Sequence, residues 1–268
     1  MIESNHIFWQ CLFMRVSRNV VEARREVLAG WLQNGRYLPL GDICRKLSVS
    51  EATARRDLTE LEEAGRVRRT PGGALTDDSA RFPTFSERLE EETVEKQDLA
   101  RQVLPHLLSG FTIYVDGGTS PFFLARVLPE ASIAKLTVVT NSLPVVEYLA
   151  GTGVSLHVPG GDLVPRQSLL VGERAEHALR RWRFDAAIFG AEAVNRRGIW
   201  NSAPAVVSLQ KAAMERAKIS FFLVTSSKLG KETKTFLCGW SQPIRLITDK
   251  SPQFVAKHGI PVETLEAL

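Results

Sequence analysis

Two short runs of small and polar residues stand where buried strands are expected to end, and both have the composition of an anion-binding loop. The first is Asp116-Gly117-Gly118-Thr119-Ser120, and the second is Thr140-Asn141-Ser142. Glycines let the backbone approach an anion, hydroxyls donate hydrogen bonds, and a helix that follows directs its free N–H groups at the anion. A carboxylate only accepts hydrogen bonds, so Asp116 is expected to bind sugar hydroxyls instead of phosphate.

Two lysines later in the chain are expected to supply the countercharge. Lys228 follows an apolar strand within Ser226-Ser227-Lys228, and Lys211 lies on the helix that precedes this strand. Donors for phosphate, nearby cations and an acceptor for hydroxyls together predict that this part of the chain binds a phosphorylated sugar.

A different chemistry is expected near the N-terminus, where one predicted helix suits DNA. Ser50 is expected to cap this helix, and Ala54, Leu58 and Leu61 fall on its buried face. Only the N-terminal half of the outward face can lie against phosphates, which is the polarity of a recognition helix. That face begins with Ala52, Thr53, Arg55 and Arg56 and ends with Thr59, Glu62 and Glu63.

A basic hairpin is expected directly after this helix. Residues 66–70 alternate as a strand does, Pro71-Gly72-Gly73 is expected to turn, and Ala74-Leu75 begins a return strand. A basic hairpin after a recognition helix is a wing, so we expect Arg68 and Arg69 to contact phosphates. The two elements together carry Arg55, Arg56, Arg66, Arg68 and Arg69.

Two shorter helices are expected to pack beneath the recognition helix. Gly35 is expected to end the first of them with a left-handed residue. Apolar residues recur at helical spacing in both. They are Val27, Leu28, Trp31 and Leu32 in the first helix, and Leu40, Ile43, Cys44 and Leu47 in the second.

The rest of the chain alternates apolar strands with helices. This alternation predicts an α/β fold with a mostly parallel sheet that is covered on both faces. Ligands of such sheets bind outside the carboxyl ends of the strands. Strands are expected at 111–115, 136–139, 155–158, 185–189, 220–224 and 245–247, and a helix at 204–218.

These elements predict four regions along the chain. They are an N-terminal extension (1–20), a winged helix-turn-helix DNA-binding domain (21–76), a linker (77–95) and an α/β effector-sensing domain (96–268). Residues 82–88 are expected to run extended and to dock on a neighbouring domain. Residues 15–73 hold 12 Lys and Arg against 8 Asp and Glu, whereas residues 74–268 hold 22 against 21, so the cationic excess lies in the predicted DNA-binding part.

The composition argues against several other classes of protein. Cys11, Cys44 and Cys238 have no partners at metal-ligand spacing, so we expect no structural metal and a reducing cytoplasm. No run approaches the roughly 20 apolar residues of a membrane span. The first 20 residues lack the basic start and cleavage site of a secretory signal. Neither a membrane partner nor a cofactor is expected.

In their order and spacing, these motifs resemble those of the DeoR family of bacterial regulators, from about residue 21 to the C-terminus. The most specific stretch is Val49-Ser50-Glu51-Ala52-Thr53-Ala54-Arg55-Arg56-Asp57-Leu58. The two loops that could bind an anion belong to the same pattern. The other matching segments are Gly72-Gly73-Ala74, Phe85-Ser86-Glu87-Arg88 with Lys96, Gly160-Gly161, Gly190-Ala191-Glu192 and Ser227-Lys228.

The resemblance implies a cytoplasmic homo-oligomer that binds a double-stranded DNA operator, commonly a repressor of sugar or nucleoside catabolism. It also implies a sensor domain that is similar to sugar-phosphate isomerases and binds a phosphorylated sugar without catalysis. We expect Ser50, Ala52, Thr53, Arg55, Arg56, Arg68 and Arg69 to contact DNA. Carried over residue by residue, the effector site consists of Asp116, Gly117, Gly118, Thr119, Ser120, Thr140, Asn141, Gly161, Lys211 and Lys228.

Two alternatives from other classes stay open at this point. The first is a sugar-phosphate isomerase-like enzyme fused to a DNA-binding domain, with Asp116 or Glu192 as its general base. The second is a constitutive DNA binder with a decayed effector pocket. It is suggested by Val206 and Val207, which stand where the family has an acidic residue one turn before Lys211.

Overall fold

The computed structural model describes residues 18–32, 38–64, 66–70, 73–76, 83–241 and 243–265. The chain divides into two compact units, residues 1–82 and 83–268. Several positions singled out in the sequence lie outside the described residues. They are residues 1–17, Gly35, Pro71, Gly72, Phe82 and the side chain of Arg68.

The described part of the first unit folds into three helices and a three-stranded antiparallel sheet of order β1-β3-β2. The three predicted helices and the predicted hairpin are confirmed, whereas the two-residue strand β1 is too short to leave a pattern in the sequence. The elements are α1 (Arg18–Trp31), β1 (Leu38–Pro39), α2 (Leu40–Leu47), α3 (Glu51–Glu63), β2 (Val67–Thr70) and β3 (Gly73–Thr76).

One residue of the expected α1 face points to solvent instead of the core. Val27 is 47% exposed, so its predicted burial is wrong, whereas Leu28, Ala29 and Leu32 are buried. Each residue advances an α-helix by about 100°. The inner face of α1 is centred on Leu28 and Leu32 and extends toward Ala29 and Arg25, which leaves Val27 outside.

Gly73 was expected in the turn of the hairpin, but it begins β3 and pairs with both neighbouring strands. Its partners are Thr70 in β2 and Pro39 in β1. A Cβ at this position would lie 2.1 Å from the carbonyl oxygen of Leu38. Only glycine allows β1 and β3 to approach this closely.

A buried carboxylate fastens α3 to α1. The Asp57 side chain is 2% exposed and accepts hydrogen bonds from two arginines of α1. Arg24 donates from Nε at 2.6 Å and from Nη2 at 3.0 Å, and Arg25 donates from Nε at 3.1 Å. Charge-assisted pairs with two prongs fix orientation as well as distance, so Asp57 sets the angle at which α3 leaves the core.

The second unit begins with two helices, α4 (Phe85–Glu90), which lies in the segment predicted to be a linker, and α5 (Thr93–Val103), which begins in that segment. Thr84 caps α4, because its Oγ1 accepts from the Glu87 N–H at 3.2 Å while Glu87 Oε2 accepts from the Thr84 N–H at 2.6 Å. Phe85 is buried edge-on against Phe122. The expected extended conformation is therefore wrong, and the predicted linker belongs to the second unit from residue 83 onward.

A six-stranded parallel sheet of order β14-β12-β9-β4-β5-β6 forms the centre of the second unit, and all six predicted strands lie in it. The strand-and-helix alternation did not predict the hairpin β7-β8 or the small antiparallel sheet β10-β11-β13. The strands are β4 (Thr112–Val115), β5 (Thr137–Thr140), β6 (Ser155–His157), β7 (Asp162–Val164), β8 (Leu169–Val171), β9 (Ala186–Gly190), β10 (Ala193–Asn195), β11 (Gly198–Asn201), β12 (Ser220–Leu223), β13 (Thr235–Cys238) and β14 (Ile244–Ile247).

Apolar side chains cover both faces of this sheet, since successive residues of a strand point to opposite faces. In β4, Tyr114 packs into one core cluster while Ile113 and Val115 pack into the other. The further helices of the unit are α6 (Thr119–Ala131), α7 (Leu143–Leu149), α8 (Glu173–Leu179), α9 (Pro204–Met214) and α10 (Pro252–Ala256). None of the helices in the described residues has the length and apolar character that spanning a membrane requires.

The buried Asp57 pair generates a prediction about stability. Asp57→Asn removes the charge that both arginines of α1 face, so the free energy of unfolding should fall by about 2 to 3 kcal/mol. Asp42→Asn is the control, because Asp42 pairs with Arg45 at the surface and its loss should cost less than about 1 kcal/mol. Urea denaturation followed by circular dichroism measures both values. Equal losses in the two variants would show that Asp57 does not fasten the helices.

Candidate functional site

The N-terminal end of α3 has the geometry expected of a recognition helix. The Ser50 Oγ accepts a hydrogen bond from the Thr53 N–H at 3.2 Å, which confirms the predicted cap. Ala52, Arg55 and Arg56 are exposed, while Ala54 on the opposite face is buried. The helix therefore presents its N-terminal half outward.

The two arginines of this face differ in their surroundings. Arg55 donates to Glu51 Oε1 from Nε at 2.9 Å and from Nη2 at 2.6 Å. Arg56 makes no hydrogen bond or ion pair with any residue that the structure describes. Arg56 is thus the arginine of this face that can meet DNA without first leaving an intramolecular partner.

The wing arginine Arg69 lies along α3. It donates from Nε to Glu62 Oε2 at 2.6 Å and from Nη1 to Thr59 Oγ1 at 2.8 Å, and its backbone N–H donates to Glu62 Oε1 at 2.8 Å. These bonds from Arg69 lower the pKa of Glu62. Arg66 is likewise paired with Glu26 of α1. Sequence reasoning missed these pairs, because their members lie on different segments of the fold.

Seven of the predicted effector residues meet at the carboxyl edge of the large sheet. Val115 of β4 pairs with Thr140 of β5, so the loops that follow these two strands lie side by side. Gly118 precedes the first turn of α6, whose N–H groups face this edge. The seven are Asp116, Gly117, Gly118, Thr119, Ser120, Thr140 and Asn141, and the five with side chains are all buried.

Asp116 is a buried carboxyl group with few donors around it. Burial raises its pKa from 3.8 to about 6, although hydrogen bonds from Gln210 and from the backbone of Gly117 and Gly190, together with the charge of Arg88, lower it. Gln210 donates from Nε2 to Asp116 Oδ2 at 2.8 Å. The carboxylate that the sequence assigned to sugar hydroxyls is therefore held in place from one side.

Three buried polar atoms on the segments that follow β4 and β5 have no hydrogen-bond partner among the described residues. They are Asp116 Oδ1, Ser120 Oγ and Asn141 Oδ1. Buried polar atoms are seldom left unsatisfied, because an unmade hydrogen bond costs about 1 to 3 kcal/mol. Three of them on the segments that follow two neighbouring strands make this part of the sheet edge a candidate site for a polar ligand.

The hairpin β7-β8 packs against both loops. Asn141 donates from Nδ2 to the Leu170 carbonyl at 3.0 Å, and the Leu170 N–H donates to the Asn141 carbonyl at 2.8 Å. A Cβ at Gly117 would lie 2.6 Å from a methyl carbon of Leu169. Gly161 has a φ of 121°, and a Cβ there would lie 2.4 Å from the carbonyl oxygen of Val171. The structure thus places Gly161 where it lets the hairpin close.

Basic residues from three elements act on one another beside Asp116. Burial, together with the charges of Lys96 and Arg88, lowers the pKa of Lys228 to about 8, although Glu92 and Glu192 act in the opposite direction. Arg88, on α4, also acts on Asp116. Sequence reasoning assigned no site role to Arg88 or Lys96, although the family motif that carries both of them was noted.

The side chains of Lys96 and Glu92 hold the corner between α4 and α5. Lys96 is 2% exposed and donates from Nζ to the carbonyl oxygens of Arg88 and Glu91, each at 2.5 Å. Glu92 has the left-handed conformation, with φ 47° and ψ 42°, and its Oε2 accepts from Thr225 Oγ1 at 2.7 Å. The corner therefore brings one carboxylate and one ammonium close to Lys228.

Lys211 does not join this cluster. It is exposed on α9, and its charge acts on Cys238 instead of Asp116 or Lys228. The neighbouring Gln210, which is 1% exposed, reaches Asp116 in its place. Consecutive helical residues point about 100° apart, so a pattern that finds the right helix can still select the wrong side chain.

Both units match models of known protein families. Residues 24–80 match a DeoR-like helix-turn-helix domain, and residues 91–250 match the DeoR C terminal sensor domain. The chain belongs to the DeoR family. It is accordingly a DNA-binding transcription regulator, with a recognition helix in the first unit and a sensor domain in the second.

Curated relatives of this DeoR protein are named repressors. It is 30% identical to the lactose phosphotransferase system repressor of Streptococcus mutans, over 85% of this chain and 92% of the relative. It is 31% identical to the transcriptional repressor AccR of Agrobacterium fabrum, over 80% and 84%. It is 28% identical to the glycerol-3-phosphate regulon repressor of Escherichia coli, over 85% and 92%.

Solved structures give weaker likenesses to this DeoR protein. A D-ribose-5-phosphate isomerase in complex with phospho-erythronic acid has a TM-score of 0.39 and 17% identity, over 53% of this chain and 55% of the isomerase. The delta subunit of eIF2B from Chaetomium thermophilum has a TM-score of 0.38 and 14% identity, over 68% and 57%. At these scores neither likeness bears on activity.

The ion pair at the wing generates a prediction about DNA affinity. Glu62→Gln frees Arg69, whose guanidinium can then bind a phosphate. Affinity for a random-sequence duplex should rise about threefold, because Arg69 no longer has to leave an ion pair when it binds a phosphate. Glu63→Gln is the matched control, because it removes the same charge from an exposed residue that has no ion pair within the described residues. Fluorescence anisotropy at several salt concentrations measures the DNA affinity of both variants. Equal affinities would contradict the inference that Glu62 competes with DNA phosphates for Arg69.

The raised pKa of Asp116 generates a prediction about pH. The folded protein binds this proton more tightly than the unfolded chain does, so the stabilisation is complete below about pH 4 and is lost as the pH rises through about 6. Asp116→Asn lacks this titration. Between pH 4 and 7 the unfolding free energy of wild type should fall by about 2 to 3 kcal/mol relative to the variant. Denaturation at each pH, with the exposed Asp98→Asn as control, tests this, and parallel pH curves for wild type and Asp116→Asn would contradict it.

Proposed function

We propose that this protein represses a carbohydrate-catabolic operon. A phosphorylated sugar, bound at the carboxyl edge of the large sheet, controls its affinity for the operator. The observation that carries the proposal is the group of three unpartnered buried atoms of Asp116, Ser120 and Asn141 beside the basic cluster. The donors of Gly118, Thr119 and the start of α6 suit the phosphate, and Lys228 and Arg88 supply its countercharge. The acceptors suit hydroxyls.

The DNA-binding half of the proposal assigns roles along α3 and the wing. Arg56 reads bases, Arg55 does so once it releases Glu51, and Ser50, Ala52 and Thr53 line the entry to the groove. Arg68 and Arg69 contact phosphates from the wing. The protein acts as a homo-oligomer in the cytoplasm, because two recognition helices related by symmetry read a site of two halves.

One observation favours a second function, sugar-phosphate isomerisation. A buried carboxyl group with a pKa of about 6, as at Asp116, has the basicity of a general base near neutral pH. Against it, Glu192, the other candidate base, is engaged by Ser202. Turnover of sugar phosphates by the purified protein, followed by chromatography, decides between the two. Conversion that disappears in Asp116→Asn would favour the enzyme.

The sensing role is tested by separating operator binding from response. An operator is first selected from random duplexes by the purified protein, and sugar phosphates are then screened for release. Lys228→Ala should bind the operator as wild type does, yet need at least tenfold more sugar phosphate for release. Lys211→Ala removes the same charge from the exposed side of α9 and should respond as wild type does. An unchanged response in Lys228→Ala would show that the sugar phosphate binds elsewhere in the protein.

The recognition role is tested on the same operator. Arg56→Ala should weaken operator binding by about 1 to 3 kcal/mol and relax the preference at one base pair. Arg45→Ala, from the solvent side of α2, is the control for the lost charge. Equal weakening on operator and random DNA would make Arg56 a phosphate contact, and unchanged affinity would remove α3 from the interface.

A further inference from the structure

A chain of hydrogen bonds runs from the small sheet to Asp116, and its direction is fixed at every step. The Glu192 N–H donates to Asn201 Oδ1 at 3.0 Å, Asn201 Nδ2 donates to Gln210 Oε1 at 2.7 Å, and Gln210 Nε2 donates to Asp116 Oδ2 at 2.8 Å. Asn201 is 5% exposed and Gln210 is 1% exposed. Both amides are therefore almost fully shielded from solvent.

The direction follows from the first donor. A backbone N–H can only donate, so it must face the oxygen of the Asn201 amide, which turns the Asn201 NH₂ toward Gln210. Gln210 then presents its oxygen to Asn201 and its NH₂ to Asp116. The opposite orientation would set an amide oxygen against the carboxylate oxygen, and the amide orientation is assigned from this network.

The Asp116 carboxylate therefore has one oxygen that accepts a hydrogen bond and one that remains available. Asp116 Oδ2 is occupied by Gln210, while Oδ1 is buried without a partner among the described residues. The adjacent loop repeats the arrangement, because Asn141 uses its NH₂ on the Leu170 carbonyl and leaves Oδ1 without a partner within that same part of the chain. Two oxygen acceptors therefore stand at the ends of neighbouring strands.

We propose that Gln210, held by Asn201, is a positioning residue that keeps Asp116 an acceptor, and that the ligand presents two hydroxyl donors, one to Asp116 and one to Asn141. This proposal rests on the proposed function, since it concerns the same pocket. It narrows the ligand to a phosphorylated carbon chain with at least two hydroxyls. A phosphorylated deoxy sugar that lacks one of them leaves a buried acceptor unpaired and binds more weakly.

Several groups besides Gln210 also interact electrostatically with Asp116. They are the charge of Arg88 on α4, the Tyr114 hydroxyl on β4 and the backbone N–H groups of Gly117 and Gly190. Gln210 Nε2 also donates to the Gly190 carbonyl at 3.4 Å, so a substitution at Gln210 removes this bond together with the bond to Asp116. The hydrogen bond from Gln210 lowers the pKa of Asp116, so its removal must raise that pKa, which burial has already raised to about 6.

The first experiment needs no ligand. Protein labelled with ¹³C at aspartate carboxyl groups is titrated by NMR, and the Asp116 signal is assigned by its loss in Asp116→Asn. Gln210→Met should raise the Asp116 midpoint by about one pH unit. Gln102→Met, at a partly buried glutamine on α5, should leave it unchanged. An unchanged midpoint in Gln210→Met overturns the positioning role.

The second experiment uses matched probes in a thermal-shift assay. These are ribose 5-phosphate with 2-deoxyribose 5-phosphate, glucose 6-phosphate with 2-deoxyglucose 6-phosphate, and inorganic phosphate alone. In wild type the hydroxylated member of a binding pair should bind at least tenfold more tightly than its deoxy partner. Gln210→Met should show a smaller preference than wild type at pH 6, where about one tenth of its Asp116 is ionised against about half in wild type, and should regain it at pH 8.5, where Asp116 is ionised in both proteins. A structural defect would not be reversed by pH.

The outcomes separate the two proposals. If none of the probes stabilises wild type, the proposed function fails for these sugars, while the NMR midpoint still decides whether Gln210 positions Asp116. If hydroxylated and deoxy probes bind equally well, the two-donor ligand is wrong. A preference in Gln210→Met that equals that of wild type at pH 6 also overturns the inference.

Discussion

Much of the second unit is arranged around the cost of burying one carboxylate. Asp116 ends the strand that lies between β5 and β9, where water is excluded, and a buried charge without donors is strongly unfavourable. The donors that remain are backbone N–H groups and one amide. Gly117 and Gly190 supply the former, and α9 supplies Gln210. Even so, the pKa of Asp116 stays raised, which shows that the solvation is incomplete.

The incomplete solvation supports the proposed ligand site at the sheet edge. A hydroxyl that donates to Asp116 supplies the interaction that the fold withholds, and the basic residues beside it favour an anionic group on the same molecule. Arg88 and Lys96 come from the first two helices after the boundary at residue 82. A ligand among them therefore touches the part of the sensor that follows the DNA-binding unit in sequence. Such a ligand shifts a conformational equilibrium only by its differential affinity for the two states.

The sequence predicts the layout better than it predicts the side chains that complete the site. Six strands, the helix cap at Ser50 and the two loops at the sheet edge follow from local periodicity and composition, which act over a few residues. Gln210 and Lys211 differ by one position, and only the packing of α9 decides which of them faces Asp116. The capping box at Thr84 was present in the sequence, and it should have outweighed the extended conformation expected for residues 82–88.

Contacts between different elements are predicted even less well from the sequence. The partners Glu62 and Glu26 of the wing arginines, and the pairing of β1 with Gly73, depend on how the elements meet in space. The number of arginines predicts a basic surface, but it overstates how many of them can contact DNA without first leaving an ion pair. The ion pairs reduce the positive field of the unbound winged helix, because each one neutralises a guanidinium locally.

Glu92 carries a consequence for protein engineering. A residue with a side chain in the left-handed conformation costs roughly 1 to 2 kcal/mol, which glycine avoids and asparagine reduces. A directed-evolution campaign that rewards heat resistance alone would therefore favour glycine or asparagine at this corner. Either replacement would remove the carboxylate beside Lys96 and Lys228 and leave their positive charges less balanced. The more robust protein would carry an altered charge in its pocket, so thermostability and ligand discrimination would have to be selected together.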